Sequence, residues 1–90
     1  MRRNFVERGD FKNSSLDLHG MRVEDAKQAV NSFIDQNLVS KNLRIKIIYG
    51  WGKGILKQVI KQMLTAHEDV SSVEDPLDIQ EAAYIVNLKD

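Results

Sequence analysis

The pattern of apolar and polar positions divides the chain into strand-like and helix-like segments behind a polar start. Ser15-Leu16-Asp17-Leu18-His19-Gly20 alternates, which predicts a short strand ending in a glycine turn. Leu16 and Leu18 then face the core, while Asp17 and His19 share the other face, about 7 Å apart along the strand. Ala26, Ala29, Val30, Phe33, Ile34, Asn37 and Leu38 recur at three-four spacing, the mark of an amphipathic helix from Val23 to Val39. Glu24 and Asp25 lie in its first turn, where negative charge suits the helix dipole, but Arg22 occupies the place of a capping side chain. Leu43 to Tyr49 predicts a second strand, with Leu43, Ile45 and Ile47 on one face and Arg44 and Lys46 on the other. Ile55, Leu56, Val59, Ile60, Met63 and Leu64 form the apolar stripe of a second helix, with Lys57, Gln58, Lys61 and Gln62 on its wet side. Val70 to Val73 reads as a strand, Asp75-Pro76 as a break, and Ala82 to Leu88 as a last strand.

The order β-α-β-α-β-β makes this an α/β chain: a two-layer sandwich, with a four-stranded mixed sheet and two helices on one face. Strand-helix-strand units impose right-handed parallel crossovers, and the last pair of strands is expected to be antiparallel. If the first two strands are neighbours, the loops at His19-Gly20 and Tyr49-Gly50 open at one carboxyl edge of the sheet, where open α/β sheets bind ligands. Residues 1–14 carry Arg2, Arg3, Arg8 and Lys12 with little apolar periodicity. They read as a flexible tail ahead of a folded domain at residues 15–90; a basic arm touching nucleic acid is the sharper alternative.

At 90 residues the chain is one domain, too small for a large buried cavity. It contains no cysteine and only two, distant, histidines, which excludes a disulfide frame and a tetrahedral zinc site. No apolar run approaches the ~20 residues of a membrane helix, so the expected location is cytoplasmic, with no membrane partner. The zero net charge hides a segregation. From Gln36 to His67 there is no acidic residue, while Lys41, Arg44, Lys46, Lys53, Lys57 and Lys61 are basic. From Glu68 onward the balance reverses, with Glu74, Asp75, Asp78, Glu81 and Asp90 among the acids against Lys89 alone. Such a basic stretch is either a patch for a polyanion or a solvated face paired in space with the acidic end.

The chemistry concentrates where the second strand meets the second helix, at Tyr49-Gly50-Trp51-Gly52-Lys53-Gly54. Glycines at every second position allow positive φ and close approach to the main chain. The helix start supplies amides without internal partners at the positive end of the dipole, a recipe for holding phosphate. The bland alternative is a tight strand-to-helix turn with no ligand. Trp51, between glycines, is either a base-stacking platform or a lid over the helix start.

Leu16-Asp17-Leu18-His19-Gly20, followed by Gly50-Trp51-Gly52-Lys53-Gly54, resembles the Smr (small MutS-related) domain, which has an L-D-L-H-G motif closing its first strand and an H-G-x-G-x-G motif opening its second helix. The resemblance runs from Leu16 to Leu88. It implies the two-layer α/β fold and binding or endonucleolytic cleavage of DNA or RNA, either alone or at the end of a larger MutS-like ATPase chain, with links to recombination and ribosome rescue. Carried over by position, it implies catalysis by Asp17 and His19. It also implies nucleic-acid binding by Gly50, Gly52 and Gly54, to which the charge and loop readings add Trp51, Lys53, Lys57, Lys61, Arg44 and Lys46. Tyr49 stands where the family usually has histidine, replacing a group that titrates near neutrality with a phenol near ~10. Gln80-Glu81-Ala82-Ala83 stands where the family has a glycine-rich turn. His19 is then the general acid–base candidate, with Asp17 orienting it or holding Mg²⁺ or Mn²⁺; no other cofactor is implied. The alternatives are a histidine that packs the turn and a carboxylate that bonds loop amides. Two functions follow: a nicking-type endonuclease, favoured by the first motif, or a non-catalytic nucleic-acid- or ribosome-binding module, favoured by Tyr49.

Overall fold

A computed structural model describes residues 14–52, 54–76 and 81–90. Its elements are β1 (Ser15–Asp17), α1 (Val23–Val39), β2 (Arg44–Ile48), α2 (Ile55–Ala66), β3 (Val70–Glu74) and β4 (Ala83–Leu88). The element order is the one that the hydrophobic pattern predicts. The four strands form one mixed sheet in the order β1-β2-β4-β3. β1 and β2 are parallel neighbours, with Leu16 beside Ile47. β4 runs antiparallel to both its neighbours, placing Tyr84 beside Ile47 and Val86 between Ile45 and Val73.

These pairings align Leu16, Ile47 and Tyr84 on one face of the sheet. Both helices bury their stripes against that face in a single core that joins Ala26, Val30 and Ile34 of α1 and Ile60 and Leu64 of α2 to Leu18, Ile45, Ile47 and Val86. Burying one such aliphatic side chain is worth ~1.5–3 kcal/mol, so α2, which has no side-chain cap, is held chiefly by this face. Asn37, the one polar position in the α1 stripe, is buried, and its Nδ2 donates to the Phe33 carbonyl at 2.8 Å. β4 is the central strand, and its Ala83 and Ile85, which face away from the helices, are buried as well.

Three details differ from the pattern. β1 stops at Asp17 instead of running to Gly20, because the Asp17 Oδ1 accepts the His19 amide at 2.9 Å and turns the chain. Leu18 nevertheless keeps its place in the core, its amide donating to the Ile48 carbonyl at 2.7 Å. Ile55, expected in the α2 stripe, is 58% exposed, since it is the first helical residue and lies beyond the edge of the sheet. His67 caps the end of α2 and does not act there as a cation: its Nδ1 accepts the Asp69 amide at 3.1 Å, which makes that nitrogen the unprotonated one. The tail expected at residues 1–14 lies, apart from Ser14, outside the described residues.

Candidate functional site

Because β1 and β2 are parallel and in register, their following loops leave the sheet side by side. Asp17 pairs with Ile48, so His19-Gly20 and Tyr49-Gly50 emerge at the same edge. They meet tightly. A Cβ on Gly50 would stand 2.9 Å from the His19 Cβ, and Gly50 has φ +81°, so both space and backbone require glycine there. The amides of Tyr49 and Gly50 both donate to the Ala82 carbonyl, at 2.8 and 3.1 Å, which ties the loop to the start of β4. The Gly50 amide is therefore spent on the fold and not offered to an anion. Gly54, with φ +86°, is the N-cap of α2 and points the following amides outward. Gly52 has no left-handed φ, and nothing lies within 4 Å of where its Cβ would be. Neither strain nor packing explains a glycine at this position.

The site's side chains are largely open to solvent. His19 and Asp17 are exposed. The contact that Asp17 makes is with the His19 main chain, so it fixes the backbone on which the imidazole rides. This matches the alternative reading of a carboxylate that bonds loop amides. Trp51 is 74% exposed over a recess of about 210 Å³ lined by Tyr49, Gly50, Gly52, Gly54 and Lys57. Tyr49 is half-buried, and its ring packs 4.9 Å from that of Tyr84 at a 45° tilt. The Lys57 and Lys61 ammonium groups lie 5.8 and 5.7 Å over the Tyr49 and Tyr84 rings. The Tyr84 hydroxyl donates to the Lys57 carbonyl at 3.4 Å. Burial first, then the neighbouring Tyr49 and Asp75, raise the Tyr84 pKa above the usual phenol value.

The basic stretch does not converge on this edge as a whole. Arg44 and Lys46 project from the face of the sheet without helices. Arg44 is bridged to Glu74 at 3.3 Å, and Lys46, only 14% exposed in its side chain, is bridged to Glu81. Lys41 pairs with Asp90 at 3.6 Å. For these three the pairing with the acidic end is what the fold realises; Lys57 and Lys61 remain beside the glycine loop. Lys53 lies outside the described residues. Among the described residues no three His, Asp or Glu side chains gather as a metal site, and no helix is long and apolar enough to cross a membrane. Sequence reasoning missed Met21 and Ile55, which flank the same edge, half-hidden as the residues that directly follow the two glycine turns.

A four-stranded mixed sheet under two helices, with a histidine loop clasped to a glycine loop at the head of the second helix, defines a small two-layer α/β domain of the MutS-related kind. A family model of the Smr domain matches residues 16–89, and the chain belongs to the Smr domain family. Among its relatives are the proteins called endonuclease MutS2 of Streptococcus uberis, 40% identical over 57 residues, and of Shouchella clausii, 39% identical over 62. These alignments cover 63% and 69% of this chain but only 7% and 8% of the relatives, so the chain spans a small fraction of the curated proteins it matches. The crystal structure of the Smr domain of Thermus thermophilus MutS2 superposes with a TM-score of 0.79 at 23% identity, over 86% of this chain and 99% of that one. YdaL, a stand-alone small MutS-related protein of Escherichia coli, gives 0.78 at 24%, over 100% and 82%. At that identity both speak for the fold alone.

Proposed function

We propose that this domain binds DNA or RNA at the edge formed by the two loops and cuts one strand there, as a nicking-type endonuclease. The observation that carries the reading is the contact of His19 with Gly50. It sets a proton-transfer group against the loop that opens α2, where helix amides and Lys57 favour a phosphate. Cleavage needs a group to move a proton at the reacting oxygens and donors to stabilise charge on phosphorus. His19 supplies the first, the start of α2 and Lys57 the second, and Asp17 holds the His19 loop. Asp17 is also the carboxylate that would hold Mg²⁺ or Mn²⁺ together with a substrate phosphate. The relatives' length argues that the domain works within a larger MutS-like ATPase chain, which would act in the cytoplasm.

The test is cleavage of supercoiled plasmid and of structured RNA, with Mg²⁺, Mn²⁺ or EDTA, beside His19→Ala. General acid–base catalysis contributes ~10²–10⁴-fold. The expected result is loss of nicking on that scale with affinity within ~0.5 kcal/mol, because an exposed loop histidine carries little of the fold. Undiminished cleavage by pure His19→Ala protein overturns the mechanism. The second reading, a binding module for nucleic acid or the ribosome, is favoured by Tyr49, whose ring is engaged with Tyr84 where a second imidazole would otherwise stand. Binding without any cleavage by the unmodified domain would select it.

A further inference from the structure

Four large hydrophobic side chains are exposed among the described residues: Met21 at 40%, Val39 at 84%, Trp51 at 74% and Ile55 at 58%. Three of them, Met21, Trp51 and Ile55, wall a single recess of about 220 Å³ whose floor is Gly20, Gly50, Gly52 and Gly54. They come from separate parts of the chain, Met21 from the loop after β1 and the other two from either side of Gly54. Exposed apolar side chains scattered singly need no explanation, but three gathered over bare glycine backbone do.

We infer that this recess takes one unpaired nucleobase, so that the domain selects strands in which a base is free of its stack beside the bound phosphate. The inference rests on the proposed nucleic-acid reading and specifies its substrate class. A flat heterocycle can slide between the Trp51 ring and the Met21–Ile55 side while the glycines let it reach the main chain. The charge fits a polyanion: Lys57 is in the wall, and no acidic side chain is among the described residues that line the recess. Gly52, whose lack of a side chain nothing in the fold requires, is part of that floor. A regular duplex keeps its bases stacked and cannot fill the recess, whereas a bulge, a loop or a single strand can. Three side chains are also too few for the core of a protein interface, which takes ~800 Å² from each partner.

Trp51 is the sole tryptophan of the 90-residue chain, so its fluorescence reads this recess directly. The experiment titrates the protein with two oligonucleotide duplexes of one sequence, fully paired or with one bulged adenine, made in DNA and in RNA. Anisotropy reports affinity. The bulged duplex should quench Trp51 and bind about five- to a hundredfold more tightly, the range of one base–aromatic stack. In Met21→Ser/Ile55→Ser protein, with its melting temperature checked, the preference should fall to within about twofold, the size expected once the stack is gone. Equal binding of both duplexes with Trp51 unquenched overturns the base recess and leaves the nucleic-acid reading standing. Failure to bind any oligonucleotide overturns the reading beneath it. Concentration-dependent dimerisation that the double variant abolishes makes the patch a self-association face and also overturns the inference.

Discussion

His19 rests against the bare Cα of Gly50, with its own Cα 3.3 Å and its Cβ 2.9 Å from where a Gly50 side chain would begin. Two motifs separated by a whole helix and strand are thereby joined into one structural unit. Gly50→Ala meets both this clash and a left-handed φ of +81°. The backbone strain alone costs ~1–3 kcal/mol, and the clash adds to it. Gly52→Ala meets neither, so it should leave stability within ~0.5 kcal/mol while weakening nucleic-acid binding. Chemical denaturation of the two variants separates them, and equal losses of stability would remove the distinction between a structural and a ligand-facing glycine.

Alternation and three-four spacing were enough to read the element order and the span of α1, because those periods follow from which residues must be buried. They report faces and not neighbours. That β4 inserts between β2 and β3 is therefore invisible in Ala83–Leu88, although the burial of both its faces is what a central strand produces. At the site, Asp17 and His19 read as one strand face because nothing in their spacing reveals that the Asp17 carboxylate would capture the next-but-one amide. The acid-free stretch was legible, but its meaning depended on pairing. Lys41, Arg44 and Lys46 find acids tens of residues away, and only the fold brings those together.

The Asp17 bond predicts a split between shape and charge. Asp17→Asn keeps an oxygen that can accept the His19 amide, so the turn and the melting temperature should change little. Asp17→Ala loses that acceptor, at a cost of ~0.5–1.5 kcal/mol, and frees the His19 loop. If Asp17 serves only to position His19, nicking should survive in Asp17→Asn and fall in Asp17→Ala. Equal loss in both variants would show that the negative charge itself is needed, as a metal ligand or an imidazolium partner requires.

Tyr84 gives the fold a sensitivity to alkali. Its pKa is raised in the folded state, so the unfolded chain releases the phenolic proton first as pH rises. The stability contribution is complete below the ordinary phenol value near ~10 and is lost as pH climbs through the higher folded value. Thermal melting from pH 8 to about 11 should therefore fall more steeply in the unmodified protein than in Tyr84→Phe, which removes this titration. Lysines titrate over the same range in both proteins, so the difference between the two curves is the quantity to read. Parallel curves would mean that burial beside Tyr49 and Asp75 does not bias the phenol.

The sharpest division on the surface is between paired and site-facing cations. Arg44 and Lys46 answer Glu74 and Glu81 on the helix-free face, while Lys57 and Lys61 lie over the Tyr49 and Tyr84 rings beside the glycine loop. Removing a cation that neutralises one phosphate should flatten the salt dependence of binding by a slope of ~0.7–0.9. Lys57→Glu with Lys61→Glu should show that flattening and weaken binding to any sequence alike. Arg44→Gln with Lys46→Gln should leave the slope unchanged and act on stability instead. The exposed Arg44 pair is worth at most ~1 kcal/mol. Lys46 matters more, because its ammonium is largely shielded from water and its loss strips a partner from Glu81. Salt titrations of affinity, run beside denaturation of the same proteins, read both quantities at once. A flattened slope in the Arg44/Lys46 variant would extend the nucleic-acid surface around the sheet edge to its other face. An unchanged slope in the Lys57/Lys61 variant would take the start of α2 out of the binding surface altogether.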